Sequence, residues 1–342
     1  MDKLYIQHEG RVITTDSQHT HVMALALDQK NNYQQGIVRC ITDRIGDVRV
    51  KGYVDRSELY RVDGNSLEYF KIGKKLQMKN ESKILNRLVA KDEDFIGFED
   101  PDIWHDEKLN QMHVYFTVPI IPKDKTKKIK IHLGHAVGEN LDSLEMTMPV
   151  LNGFADKSAK ELAIAPVNKK GFRFNLIESR DRSNGTTYSV VMTAIAKDMN
   201  GPWQYGKIVC HPGMLNIPWI GGHASPGPLF SQNFINVGEG KVIGLMNGRE
   251  ADKVVGETTT YGMFSIGLFL YDYENGIIDW ISPEPFIRDD EAQTITFASQ
   301  FIETGRGEGI LYAHVDDSFV RAYTLKANLI KRLLPSTKVV QY

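Results

Sequence analysis

The apolar residues of this chain come in short runs. The runs are rich in β-branched and aromatic side chains, as in 113–118 (HVYFTV) and 264–271 (FSIGLFLY), with Gly, Asn, Asp and Pro clusters between them. Runs of this kind predict strands, and the punctuation predicts turns. The best helical periodicity lies over 81–90, where Ile84, Leu85, Leu88 and Val89 share one face. Five segments, 56–76, 113–150, 172–210, 241–287 and 309–325, follow one order of events. A buried strand and a turn come first, then a strand with small residues, an acidic-polar turn, an aromatic, and a short strand ending near a Pro. A repeat of roughly 40–50 residues built from four short strands predicts a β-propeller. Four or five repeats fit, and the strand Val22–Leu27 is available to help close the ring. One propeller uses nearly the whole chain, so a single domain over 1–342 is expected. A two-sheet β-sandwich also has many short strands but explains the repeat less well.

Composition narrows the partners. The 342 residues carry 41 Lys and Arg against 43 Asp and Glu, a net charge of -2. That balance predicts no nucleic-acid partner, and the segment 123–130 (KDKTKKIK) is expected to be a solvated loop between two strands. No apolar run approaches the ~18 residues that span a bilayer, and the N-terminus lacks an apolar signal region. A cytoplasmic protein with no membrane partner is the expectation. Cys40 and Cys210 are flanked by apolar residues and are expected to be buried free thiols. His19 with His21, and His132 with His135, have no partner acids nearby, so no metal is expected. There is no phosphate-cradling loop before a helix, no dinucleotide fingerprint and no nucleophile elbow. No cofactor is expected, though inorganic phosphate is an admissible co-substrate.

The costliest stretch is 96–104, IGFEDPDIW, where Glu99, Asp100 and Asp102 fall within four residues beside an apolar strand. Clustered carboxylates raise one another's pKa, and burial raises it further. A carboxylic acid so tuned is the usual proton donor in glycoside cleavage. Asp100 and Asp102 share a strand face only if the strand stays regular through Pro101. Ordinary turn chemistry for Asp-Pro-Asp is the competing reading.

Taken with its neighbours, this stretch resembles a known group, the five-bladed β-propeller glycosidases. The likeness is greatest to glycoside hydrolase family 130, the mannoside phosphorylases and related β-mannosidases. Gly97-Phe98-Glu99-Asp100-Pro101-Asp102-Ile103 is similar to the family's "xEDPRI", with Asp102 in place of Arg. Lys160-Glu161-Leu162-Ala163-Ile164-Ala165-Pro166 is similar to "KDxxLFP", and 219–229 (WIGGHASPGPL) to "iGxGxPPi". The segment 261–272 (YGMFSIGLFLYD) resembles "YxxGaaLLDl", followed by Pro283-Glu284-Pro285-Phe286-Ile287 near "xxPIL". Leu311-Tyr312-Ala313-His314-Val315-Asp316 stands where the family has "YYGxAD". The likeness runs from about Arg56 to Leu325, in order. It implies an all-β, five-bladed propeller that cleaves a β-mannoside-like bond by inverting single displacement. A relative of families 43 or 32 acting on another sugar, or a propeller that binds carbohydrate without cleaving it, are the alternatives.

The resemblance also implies roles. Asp100 matches the general acid. Lys160 matches a phosphate-holding Lys, Arg180 or Arg182 a phosphate Arg, and Asp316 an Asp that contacts sugar or phosphate. Asn247 stands where the family has a phosphate-holding His, so the set is only partly preserved, and hydrolysis is favoured over phosphorolysis. An inverting hydrolase needs a carboxylate base to activate water, and Glu161, Glu178, Asp181 and Glu250 are the available acids. Glu178 and Glu250 are carried forward with Asp100 as catalytic candidates. Trp104 and Trp219 are candidates to stack on sugar rings, whereas Trp203 and Trp280 recur at one position of the repeat and are expected to pack. His223, in a Gly- and Pro-rich loop, is a candidate donor to a sugar hydroxyl. Glu99 and Asp102 complete the candidate binding set. An oligosaccharide or glycoside is the expected partner, and a homo-oligomer is compatible with the sequence.

Overall fold

The computed structural model describes residues 4–124, 126–154, 156–183 and 185–335. It is all-β, with antiparallel sheets built as successive meanders. After β1 (Tyr5–Gln7) and β2 (Ile13–Thr14), the first meander is β3 (Val22–Leu27), β4 (Gln35–Ile45), β5 (Val54–Ser66) and β6 (Tyr69–Lys75). The predicted helix follows as α1 (Glu81–Leu88), with Ile84 buried against the second meander. After β7 (Glu93–Phe95) come β8 (Glu99–Asp106), β9 (Gln111–Pro122), β10 (Lys130–Gly138) and β11 (Glu145–Met146). The third meander is β12 (Lys160–Ala163), β13 (Arg173–Ser183), β14 (Thr186–Ala196) and β15 (Gln204–Cys210). The fourth begins with β16 (His223–Leu229) and β17 (Lys241–Arg249). A small hairpin, β18 (Lys253–Val255) and β19 (Thr258–Thr260), precedes its last strands, β20 (Phe264–Asp272) and β21 (Ile277–Ile281). The fifth is β22 (Thr296–Gly305), β23 (Glu308–Val315) and β24 (Phe319–Lys326), ahead of α2 (Ala327–Lys331).

The first strand of each meander touches the first strand of the next. Contacts run β3 to β8, β8 to β12, β12 to β16, β16 to β22, and β22 back to β3. Val22–Leu27 is therefore an inner strand and not the closing one. Closure is made by β1, which pairs with β24 through Tyr5↔Leu325 and Gln7↔Tyr323. Three residues carry no usable periodicity, so the sequence hid this strand.

Side-chain alternation explains why the strands read as unbroken apolar runs. In β20, Ile266, Leu268 and Leu270 pack towards the fifth meander, while Phe269 and Tyr271 pack towards the third. In β9, Val114, Phe116 and Val118 face the first meander, and Tyr115 faces the third. Each sheet is buried on both faces, and each interface between consecutive sheets has its own core. A β-sandwich would gather these residues into one shared core, so the alternative drops out. Cys40 and Cys210 are buried and unpaired. Trp203 is buried with its Nε1 donating to Asp198 O, a packing role as expected. The loop 123–130 joins β9 and β10, with Lys127 and Lys130 paired to Asp92 and Glu93; Lys125 lies outside the described residues. Among the described residues no helix is long and apolar enough to cross a membrane.

Candidate active site

Each inner strand loses its register with the neighbouring strand. The break falls between Met23 and Ala26 in β3, Glu99 and Asp102 in β8, and Lys160 and Leu162 in β12. It recurs between Pro226 and Leu229 in β16 and between Ala298 and Gln300 in β22. Such bulges insert a residue and re-aim a side chain, often beside a functional site. Ala24, Asp100 and Glu161 sit in three of them with positive φ, 49°, 46° and 52°. The breaks converge on a cavity of about 180 Å³ lined by Ala24, Asp100, Asp102, Glu161, Gly227 and Ser299, among others. The strand does not stay regular through Pro101, yet the bulge brings both Asp100 and Asp102 to this cavity.

Arg39 organises the acids. Its Nη1 donates to Asp100 Oδ1 at 3.0 Å and its Nη2 to Glu99 Oε1 at 2.7 Å. Its Nε donates to Ser57 Oγ at 3.1 Å, and Ser57 Oγ donates to Phe98 O at 2.9 Å. Gly97 makes this approach possible. It has φ 115°, and a Cβ there would lie 1.8 Å from Ser57 O. Sequence reading missed Arg39, which lies in the apolar run of β4. A cation in such a run was the available signal, because a buried charge must be paired.

The environment pushes these groups in different directions. Burial, with Asp100 alongside, raises Glu99 to about 7 although Arg39 opposes it. Burial and Asp100 raise Asp102 to about 8 against a hydrogen bond from the Leu162 N–H. Glu161 is raised well above the carboxylate range by burial and by the nearby Asp100. Glu178, on β13, goes the other way. Burial disfavours its charge, but His223 at 2.9 Å and Lys160 at 3.4 Å outweigh that and hold it at about 2. Lys160 itself, among Glu178, Glu161, Asp100 and Glu99, is held above its ordinary value despite burial.

A second charged group adjoins the first. Tyr53 Oη donates to Asp317 Oδ2 at 2.9 Å, His314 Nε2 lies 3.3 Å from Asp317, and Arg44 grips Asp55 with two bonds of 2.8 Å. Burial opposes the charge of Asp317, but His314, Arg39 and Tyr53 keep it ionised, at about 2. Tyr53 ends the loop 46–53, which meets the β18–β19 hairpin through a Val50↔Thr260 bridge and a Lys51–Asp252 ion pair of 3.3 Å. Loops from the first and fourth meanders are thus strapped together beside the fifth. The long-range contacts, Tyr53 to Asp317, Val50 to Thr260 and Lys51 to Asp252, join residues more than 200 apart and were not foreseen.

Other sequence candidates are placed elsewhere. Trp219 is buried at 4% exposure, its ring fills the space over Gly248 and Gly267, and its Nε1 donates to Ser282 O at 3.0 Å. It is a packing residue and has no free face for a sugar. Asn247 is fully buried and spends its amide on Ala298, accepting from its N–H at 2.7 Å and donating to its carbonyl at 3.1 Å. The Asp316 carboxylate accepts from the N–H groups of Gln293, Thr294 and Ile295, so it shapes a loop. Glu250 pairs with Arg288 at 3.1 Å and, like Glu178, is not among the residues that line the cavity. Arg180 donates to Ile129 O at 2.8 Å. Trp104 does line the cavity, with Arg173 over its ring at 5.3 Å. Among the described residues no three His, Cys, Asp or Glu are grouped to hold a metal ion.

The fold is similar to that of solved enzymes that act on glycosides. Among solved structures, the chain is similar to a β-1,2-mannobiose phosphorylase from Listeria innocua in complex with β-1,2-mannobiose. The TM-score is 0.65 at 13% identity, covering 97% of this chain and 99% of that one. It is also similar to a mannose phosphorylase from Leishmania mexicana in complex with a phosphate ion (TM-score 0.54, 14% identity, 97% and 92% covered). An endo-arabinase from Bacteroides thetaiotaomicron gives 0.55 at 13% identity, with 93% and 97% covered. At these identities the likeness is one of fold. No protein-family model matches the sequence, and no curated protein matches it either.

Proposed function

We propose that the five meanders are the blades of a five-bladed β-propeller, and that the protein is a glycosidase. It cleaves a β-mannoside-like bond by inverting single displacement, with Asp100 as general acid and hydrolysis preferred to phosphorolysis. One observation carries this reading. A largely buried carboxyl, Asp100, stands on the bulge of an inner strand, bound to Arg39, at a cavity where all five inner strands meet and which a second carboxyl, Glu161, also lines. Groups whose environments drive their pKa values apart define acid and base. Burial holds Glu161 protonated, while Glu178 is held ionised and is left as the acceptor for a proton from water. Glu178 also neutralises Lys160, one of the groups a phosphate would need, which favours water as the attacking group.

The test is a screen of aryl glycosides and mannose disaccharides, with and without phosphate, for the wild type and Asp100→Asn. The expected result is phosphate-independent release of mannose that falls by on the order of 10²–10⁴-fold in the variant. Turnover that survives Asp100→Asn defeats the assignment, and phosphate-dependent turnover selects the phosphorylase. Binding by calorimetry without any turnover identifies a carbohydrate-binding propeller instead.

A further inference from the structure

Phe264 and Phe297 stand at the starts of β20 and β22, and neither belongs to any of the hydrophobic cores. Their rings meet edge to face at 5.7 Å and 65°. Phe264 also meets the His223 ring edge to face at 4.9 Å, and Phe297 stacks on the His314 ring at 5.0 Å and 12°. His223 lies 2.9 Å from Glu178, and His314 lies 3.3 Å from Asp317. A row of four rings on the fourth and fifth meanders therefore joins one carboxylate to the other. Arg39, Glu99 and Asp100 come to the site from the first and second meanders.

The row is polar at both ends and apolar in the middle. Arg249, tied to Asp252, backs it, with its guanidinium 5.6 Å from the Phe264 ring centre and 4.4 Å from that of Tyr261. Tyr261 meets Tyr53 edge to face at 6.3 Å, and Tyr53 donates to Asp317. Tyr53, Tyr261 and Phe264 are each half-exposed. His314 is only 6% exposed, and its Nδ1 has no hydrogen-bond partner among the described residues. A buried ring nitrogen without a partner costs stability unless a ligand or a water answers it. Apolar ring surface flanked by such polar groups fits a sugar, whose C–H bonds pack on aromatic rings while its hydroxyls need hydrogen bonds.

We propose that the Phe264–Phe297 row is the wall on which the sugar rests, with Phe264 in contact with its C–H surface and its hydroxyls directed to His314 and Asp317. The inference rests on the reading of the protein as a glycosidase. Phe297 is buried between Phe264 and His314 and is the positioning residue that fixes the Phe264 ring. The wall supplies the aromatic contact that Trp219, packed over Gly248 and Gly267, has no free face to make.

The test uses the full-length D100N protein, so that the bound sugar is not cleaved, with mannobiose as the probe. Proton NMR reads the sugar C–H signals, and calorimetry reads the affinity. A sugar resting on an aromatic face has its C–H signals moved upfield by the ring current. Such shifts are expected in D100N, to be lost in D100N/F264L with affinity about 10-fold weaker, and to return in D100N/F264Y. Leucine keeps the apolar bulk and removes the ring, so a residue that only packs would leave the sugar signals where they are. Sugar signals unshifted on binding to D100N, or shifts and affinity unchanged in D100N/F264L, overturn the wall. Should D100N/F264L fail to fold, nuclear Overhauser contacts decide. Those between sugar protons and labelled phenylalanine rings are expected in D100N and lost in D100N/F264Y, and their absence from D100N overturns the wall. If D100N keeps full turnover, the reading of Asp100 as acid fails while the shifts of the bound sugar still judge the wall. If neither wild type nor D100N binds mannobiose or any aryl glycoside, the glycosidase reading and the wall fall together.

Discussion

Arg39 of β4 binds Asp100 of β8 through a 3.0 Å contact from Nη1 to Oδ1, and this joins the first two meanders at the candidate site. The same guanidinium holds Glu99 at 2.7 Å, so one buried cation answers for two carboxylates.

Replacing Arg39 by Met leaves those charges without a partner. Breaking a buried pair from one side costs roughly 3–5 kcal/mol. The loss is expected to be largest at pH 8 and smaller at pH 5, where Glu99, already raised to about 7 beside Arg39, takes up a proton instead. Urea unfolding of R39M at the two pH values measures it. An equal loss at both would show that the carboxylates are not the groups left exposed.

Asp102 makes stability depend on pH in the opposite sense to an ordinary ion pair. Its folded pKa is raised to about 8 from 3.8, so between those values the native state holds a proton that the unfolded chain has lost. Stability from this group is full below 3.8 and declines as pH rises towards 8. Glu178 and Asp317, each held at about 2, contribute stability that is present above the ordinary carboxylate range and is lost as pH falls through 2. Thermal midpoints from pH 4 to pH 9 are expected to fall less steeply for Asp102→Asn than for wild type. Parallel curves would rule out a proton on Asp102.

Trp219 tests a correction. A large-to-small change at a buried aromatic costs about 3–5 kcal/mol. Trp219→Ala is expected to lose that much stability, while Trp219→Phe loses less and keeps glycan affinity unchanged. Denaturant midpoints beside calorimetric titration with mannobiose separate the two effects. Lost affinity at unchanged stability would return Trp219 to the binding site.

The sequence by itself determined the all-β class, the sheet repeat, a helix within 81–90 and the carboxylate cluster at Glu99–Asp102. These are local properties, set by apolar periodicity, turn residues and the cost of adjacent charges. The tertiary structure decided which residues meet. It set Arg39 on Asp100 across 61 positions and His223 on Glu178, made Trp219 and Asn247 packing groups, and closed the ring with Tyr5–Gln7 on β24. A strand pattern records which side chains face inward but not which sheet they meet. Bulges that turn Asp100 and Glu161 into one cavity depend on register between strands, and register follows from how the sheets pack.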